Sequence, residues 1–312
     1  MREELLLNSK KLTLSVFISN YNHGHCIGRA IEAVASQSRL PDELIIVDDG
    51  STDDSVRIVR GYAKKYAWLK LIVYRKNRGV QVVLGGVMAW LKGEYVYFGA
   101  ADDYIPSYFF AEAMDWAERY PEAGMIFGEI KAVSTDGEKL YTIKVNKWNK
   151  ALYAGPDQYR KECLESEVAG QSFVGSTIFR KSALMEVGGF RLKLGSWCDS
   201  FAARAIGLRY GVCYVPRPFM TWVISPDSLS HSTSRRPMEM WKIINRAGEL
   251  MRSREFKNYF PEQHVRRWQR GYKLIVLEQY LLSWLGHGLV MRMAQSEALR
   301  RWRRWWLSLL SK

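Results

Sequence analysis

The chain has 312 residues, 47% hydrophobic and 25% charged, which is ordinary globular usage and excludes a disordered, collagenous or fibrous protein. This length exceeds the ~200 to 250 residues in which an open α/β domain completes its sheet, so one main domain plus an appendage is expected. The 46 Lys+Arg against 32 Asp+Glu give a formal net charge of +14, and the excess sits late: residues 231–312 hold 17 basic and 6 acidic side chains.

In chain order, the first 100 residues alternate short β-rich runs with amphipathic segments, the signature of repeated β-α units and a parallel sheet. Residues 12–18 (LTLSVFI) and 44–47 (LIIV) read as the first two strands. Between them Ile27, Ala30, Ile31, Val34 and Ala35 recur at helical spacing. Ser51 to Asp54 supply helix-capping side chains ahead of Val56, Ile58, Val59 and Tyr62. A strand at 69–74, a helix at 80–91 and a strand at 95–98 follow, and Pro106 opens another helix. This is the nucleotide-binding half of a doubly wound fold.

Residues 124–223 are less regular. Strands are expected at 124–127, 130–133, 140–143, 212–215 and 219–223, and helices at 156–164, 181–187 and 200–208. Four units result: an amino-terminal segment 1–11, a main domain 12–223, a polar link 224–237, and a basic Trp/Arg-rich helical extension 238–312. In the last turns Leu299, Trp302, Trp306 and Leu309 share one face flanked by Arg300, Arg301, Arg303 and Arg304. Indole and guanidinium together suit the headgroup layer of an anionic membrane; packing of that helix on the main domain or on a second subunit is the competing reading. Charge alone, without a binding module, does not argue for nucleic acid, and no nucleic-acid partner is expected.

The four cysteines, Cys26, Cys163, Cys198 and Cys213, contain no CxxC and read as reduced thiols, with neither a disulfide framework nor a zinc site signalled. Residues 1–11 are too short and polar for a secretion signal, and residues 272–291 are interrupted by Lys273, Glu278 and His287. The expectation is a cytoplasmic protein without a transmembrane helix, peripheral at the inner face of the cell membrane if the tail docks there.

Three polar clusters fall where strands end, the place where open α/β sheets bind ligands: Ser19-Asn20-Tyr21-Asn22, Asp48-Asp49-Gly50-Ser51 and Asp102-Asp103. Any one alone is most simply a turn or a helix cap. Two adjacent carboxylates beside an apolar run repel one another and call for a cation, and oxygen ligands suit Mg2+ or Mn2+. Neither GxxxxGK[ST] nor GxGxxG follows the first strand, which argues against a P-loop phosphotransferase or a dinucleotide dehydrogenase.

The segments SVFISNYNHGHCIGRAIEAVASQS (15–38), LIIVDDGSTDDS (44–55), NRGV (77–80), GEYVYFGAADD (93–103) and GGF (188–190) together resemble glycosyltransferase family 2, over roughly residues 12–223. The resemblance implies a GT-A fold, a Rossmann-like mostly parallel sheet flanked by helices, and inverting transfer of a sugar from a nucleotide-sugar donor, UDP-sugar preferred, to a glycan or lipid-linked acceptor in cell-envelope or exopolysaccharide synthesis. It implies that Ser19 and Tyr21 line the base pocket, that Asp49 accepts a hydrogen bond from the base, that Asp102 approaches ribose or sugar hydroxyls, and that Asp103 holds Mn2+ or Mg2+. Asp48 is a structural neighbour on the same resemblance. The family's later acidic residue matches Asp199 in WCDSF (197–201), expected as general base; its competing role is a cap on a helix starting at Ser200. Val83-Leu84-Gly85 replace the polar residues usual after NxGV, so Arg78 or Lys92 is expected to bring positive charge to the donor. His231 reads as a solvated linker residue that a closing loop could carry over the diphosphate. Two alternatives stay open: a non-catalytic binding protein of the same fold, and a nucleotidyltransferase making nucleotide sugars, whose glycine-rich loop is missing here.

Overall fold

A computed structural model describes residues 11–143, 148–165, 174–224 and 237–284. The Trp/Arg face at 299–309, most of the polar link and His231 lie outside the described residues.

The first strands are β1 (Leu14–Asn20), β2 (Glu43–Asp48), β3 (Leu69–Val73) and β4 (Tyr95–Ala100), separated by α1 (Ile27–Ala35), α2 (Ser55–Lys65) and α3 (Val80–Val87). They lie in the order β3-β2-β1-β4, every neighbour parallel. Both faces of these strands are covered, which is why their sequences run apolar without interruption. Phe17, Ile45 and Val47 point to one face with Val83 and Val87 of α3. Val16, Ile18, Leu44 and Ile46 point to the other with Ile27, Ala30, Ile31 and Val34 of α1.

The chain continues through α4 (Phe109–Arg119), β5 (Met125–Val133), β6 (Lys139–Ile143), β7 (Leu152–Ala154), α5 (Pro156–Glu165), β8 (Thr177–Arg180), α6 (Lys181–Glu186), a 3-10 segment Leu192–Trp197, α7 (Cys198–Tyr210) and β9 (Val212–Val223). The sheet extends as β4-β8-β5-β9-β7, with β6 beside β5. Here β8 is antiparallel to both β4 and β5, β6 to β5 and β7 to β9, while β5 and β9 are parallel. The architecture is the expected α/β sheet flanked by helices.

Three details differ from the sequence reading. The separate strands expected at 124–127 and 130–133 are one strand, β5, and those at 212–215 and 219–223 are one strand, β9. Their shared register shifts around Gly128 and Glu129, opposite Pro216-Arg217-Pro218; the bulge explains why each looked like two pieces. The short strands β7 and β8 had no period-2 pattern long enough to announce them.

Two further helices, α8 (Pro237–Arg252) and α9 (Glu262–Trp284), pack against each other and the main domain. Their role follows from α7, in which Cys198, Phe201, Ala202, Ala203, Ala205, Ile206 and Leu208 are all buried. A helix that is apolar all round must be covered on all sides. Phe201 meets Phe256 edge-on at 5.1 Å and Trp197 meets Trp268 at 4.6 Å between ring centroids. Ile244, Ala247, Met251, Val265 and Val276 enter the same core, so residues 237–284 form part of the body that carries the site.

Candidate active site

Because β2, β1 and β4 are parallel neighbours, their carboxyl ends share one rim. Asn20 is in register with Asp48 and Ser19 with Ala100, so the loops bearing Asp49, Tyr21 and Asp102-Asp103 emerge side by side. With strands about 4.8 Å apart, the outer two of these three exits stand on the order of 10 Å apart. The strand order therefore opens the loops of Asp49 and Asp103 onto a common edge.

The first wall is built by Asp48 and Asp49, which have divided roles. Asp48 is fully buried and faces inward: it accepts hydrogen bonds from Asn20 Nδ2 at 2.7 Å, Ser51 N at 2.9 Å and Ser51 Oγ at 2.6 Å. Asp49 turns the other way and accepts the backbone N–H groups of Arg78 at 2.9 Å and Gly79 at 2.8 Å. The turn between them needs Gly50, whose φ is +78° and whose absent Cβ would stand 2.6 Å from the carbonyl carbon of Lys76. The Asp-Asp-Gly-Ser turn is thus pressed against the loop carrying NRGV.

Tyr21 and Asn22 line the floor. Asn22 adopts a left-handed conformation, φ 55°, and its Oδ1 accepts the N–H of Thr52 at 2.8 Å. Its own N–H donates to Ser51 Oγ at 2.9 Å. These bonds stitch the loop after β1 to the turn after β2 and leave Tyr21 43% exposed, an aromatic ring available for stacking. Ser19 lies at the end of β1, partly buried.

The second wall is the exit of β4. Arg29, from α1, donates to the Asp102 carbonyl at 2.9 Å and lies over the Tyr104 ring at 4.7 Å. Tyr104 in turn bridges to Thr221 of β9. Asp103 Oδ1 accepts the Val223 N–H at 3.1 Å, and its second oxygen has no hydrogen-bond partner among the described residues. Burial, followed by the neighbouring Asp102, pushes the Asp103 carboxyl up to about 8. No ion pair reaches either carboxylate among the described residues. An oxygen-donor pair crowded in this way fits an oxygen-preferring divalent cation.

Asp199 lies in the first turn of α7, where its Oδ1 accepts the Ser200 N–H at 2.5 Å. The helix starts at Cys198, not at Ser200, so Asp199 is inside it and not its cap residue. Burial raises its carboxyl above the usual carboxylate range. The 3-10 segment before it touches the start of α3: a Cβ on Gly195 would lie 3.6 Å from Gln81 Nε2. This contact carries α7 toward the loop that Asp49 holds.

Two expectations for positive charge separate. Arg78 is on this rim, its guanidinium over the Tyr74 ring at 4.7 Å. Lys92 is not: its N–H donates to Glu43 at 2.7 Å beside Ser15, at the amino ends of β2 and β1. The loop before β4 necessarily emerges at the opposite edge from the loop after it, and Lys92 is excluded as a donor contact.

The sequence reading passed over Arg29, whose only signal was its place in the first turn of α1. It signalled no zinc site at Cys26 and passed over His23 and His25, yet the side-chain ligand atoms of these three residues all lie within 4.8 Å of one another. Cys26, Cys198 and Cys213 are free, buried thiols. Among the described residues no helix is long and apolar enough to cross a membrane.

The family model for glycosyl transferase family 2 matches residues 15–188. An uncharacterised glycosyltransferase of Escherichia coli, YibD, is 37% identical over 92 residues, 30% of this chain and 26% of that protein. A cholesterol galactosyltransferase of Borreliella burgdorferi is 33% identical over 97 residues, 31% of this chain and 27% of its own length. An uncharacterised Mycobacterium tuberculosis protein is 30% identical over 142 residues, and that match spans about two fifths of its length. Among solved structures, residues 1–349 of Staphylococcus aureus TarS in complex with UDP-GlcNAc superpose with a TM-score of 0.62 at 18% identity, over 84% of this chain and 72% of that one. A Pyrobaculum calidifontis mannosyltransferase in complex with GDP-Man and Mn2+ gives 0.62 at 17% identity, over 99% and 90%. The fold is shared with both, and with the family model spanning more than half of its residues the chain belongs to glycosyl transferase family 2.

Proposed function

We propose that this protein is an inverting glycosyltransferase that moves a sugar from a nucleotide-sugar donor to a hydroxyl of a glycan or lipid-linked acceptor. The observation that carries the reading is the convergence of Asp49, Tyr21 and the Asp102-Asp103 pair on one sheet rim. A base stacked on Tyr21 presents its polar edge to Asp49, whose carboxylate has lone pairs beyond the two given to Arg78 and Gly79. The diphosphate then extends toward the exit of β4. Asp103, through the oxygen not bound to Val223, would hold Mn2+ or Mg2+, and Asp102 would approach the ribose or sugar hydroxyls. A divalent cation there supplies Lewis acidity to the departing diphosphate.

Asp199 takes the proton of the acceptor hydroxyl as that oxygen attacks the anomeric carbon and the bond to the diphosphate breaks on the opposite face. A single in-line displacement inverts the anomeric centre. The raised carboxyl of Asp199 suits the task, because a base poised nearer neutrality accepts a proton more readily. UDP is the preferred nucleotide, consistent with the UDP-GlcNAc bound by TarS; the GDP-Man complex makes guanosine the competing base.

A thermal-shift panel of nucleoside diphosphates, each with and without Mn2+, tests this reading. Stabilisation by UDP that grows with Mn2+ is the expected result. Stabilisation by GDP alone would replace the donor class. No response to any nucleotide would favour a non-catalytic binder of the same fold.

A further inference from the structure

The loop between β1 and α1 reads His23-Gly24-His25-Cys26, and the proposed transfer uses none of these side chains. Gly24 folds the loop: its N–H donates to Asp53 Oδ2 at 2.8 Å, and a Cβ there would lie 2.9 Å from that same oxygen. The tight turn brings the two imidazoles to 5.8 Å between ring centroids. Cys26 is buried, and its S–H donates to the His23 carbonyl at 3.6 Å. His23 Nδ1 is buried and has no hydrogen-bond partner among the described residues. A buried imidazole nitrogen left without a partner is destabilising, and a metal ion is one of the few partners that would satisfy it.

We propose that His23, His25 and Cys26 form a binding site for a thiophilic divalent cation of the Zn2+ class, separate from the oxygen-donor site at Asp103. Two nitrogens and one sulfur make a borderline-soft ligand set that zinc accepts and magnesium does not. Ligand atoms within 4.8 Å of one another need side-chain rotations of about 1 Å to reach the edges of a tetrahedron with bonds of about 2.0 to 2.3 Å. Water fills the fourth position.

The surrounding field also favours a cation. Asp53, whose Oδ2 accepts the Gly24 N–H at 2.8 Å, sets a carboxylate directly against this loop. A carboxylate placed there attracts a divalent ion. The positive end of α1 works against this, and the thiolate charge offsets it. Arg29, in the first turn of α1, ties this helix to the Asp102 carbonyl, so the loop and the acidic pair are mechanically joined. The site stands independently of the donor reading and can fail without it.

The test uses the full-length protein, stripped of metal by a chelator. Titration with Co2+ is expected to produce a sulfur-to-cobalt charge-transfer band at one equivalent, displaced by Zn2+ and untouched by excess Mg2+. Cys26→Ser removes the band. His25→Ala, at an exposed position that leaves the core intact, weakens Zn2+ binding by at least about tenfold, the loss that even outer partners of a metal ligand produce. Asp103→Asn keeps the band, because that carboxylate lies outside the ligand set. A band that survives Cys26→Ser, Zn2+ affinity unchanged in His25→Ala, or displacement by Mg2+ would each overturn the assignment.

Discussion

The Asp49 carboxylate receives the Gly79 N–H at 2.8 Å while its other oxygen receives that of Arg78 at 2.9 Å. One side chain on the turn after β2 therefore fixes the entry of α3. Asp49→Asn replaces one accepting oxygen with an NH2 group facing a backbone donor. Hydrogen bonds to charged groups contribute about 1.5 to 3 kcal/mol, so nucleotide affinity by calorimetry should fall by one to two orders of magnitude. An unchanged Kd would remove Asp49 from the pocket.

Gly50→Ala probes the same contact from the backbone. The residue must keep φ at +78° while its new methyl meets the Lys76 carbonyl carbon at 2.6 Å. A left-handed alanine costs about 1 to 2 kcal/mol before any clash, and the neighbour here is backbone that cannot swing aside. A loss of at least about 2 kcal/mol is expected in denaturant unfolding, together with weaker nucleotide binding. A variant as stable as the parent would show that the two loops are not pressed together.

How much of this was legible in the sequence depends on where the signal resides. The carboxyl-end clusters were visible because β1, β2 and β4 are continuous apolar runs and a strand end is a defined place. Their convergence on one rim followed from parallel order, which local pattern supports. What the sequence concealed was relational. Lys92 and Arg78 look equivalent as loop cations, yet one precedes a strand and the other follows one, and this puts them at opposite edges. The cap that competed with the general-base role of Asp199 supposed a helix starting at Ser200, whereas the helix starts earlier, at Cys198. The covering of α7 by α8 and α9 could not be read, since a helix buried on every side has no polar face to orient it. The antiparallel β8 separates β4 from β5 only through long-range pairing.

Asp103 is expected to be a liability to the fold and a requirement for the chemistry. Its carboxyl, raised to about 8 by burial and then by Asp102, contributes stability below the unfolded value near 3.8 and loses it as pH rises through about 8. Asp103→Asn should therefore raise Tm relative to the parent at pH 9 without added metal, and the difference should shrink toward pH 4. The same variant should lose the stabilisation that Mn2+ gives in the presence of nucleotide. A variant no more stable at pH 9 would show that the parent carboxylate is already compensated.

His264 has the opposite sign. Burial, followed by Arg204 and Arg267, lowers its imidazole to about 4. A depressed histidine contributes stability that is present above the unfolded value near 6.5 and is lost as pH falls through it toward 4. The full loss is on the order of 3 kcal/mol at about 1.4 kcal/mol per pKa unit. Scanning Tm from pH 7.5 to pH 4.5 should show this decline in the parent, and His264→Gln should flatten it. His264 packs on Phe260, whose neighbour Phe201 belongs to the same helix as Asp199. Acidification should therefore loosen the helix that carries the proposed base.

Asp199→Asn separates the base from a structural role. The side chain accepts the Ser200 N–H, and the asparagine Oδ1 can accept that same bond, so the first turn of α7 is preserved. What asparagine cannot do is take a proton. If Asp199 deprotonates the acceptor, turnover should fall by about 10^2 to 10^4, the usual contribution of a general base, while the UDP-dependent thermal shift stays near that of the parent. Hydrolysis of the donor by water should fall in parallel, since water needs the same base. Should Asp199 act only in the helix turn, Asp199→Asn would keep its turnover and Asp199→Ala would lower Tm. Comparing the two variants on both readouts decides between these roles, because only a base separates activity from stability.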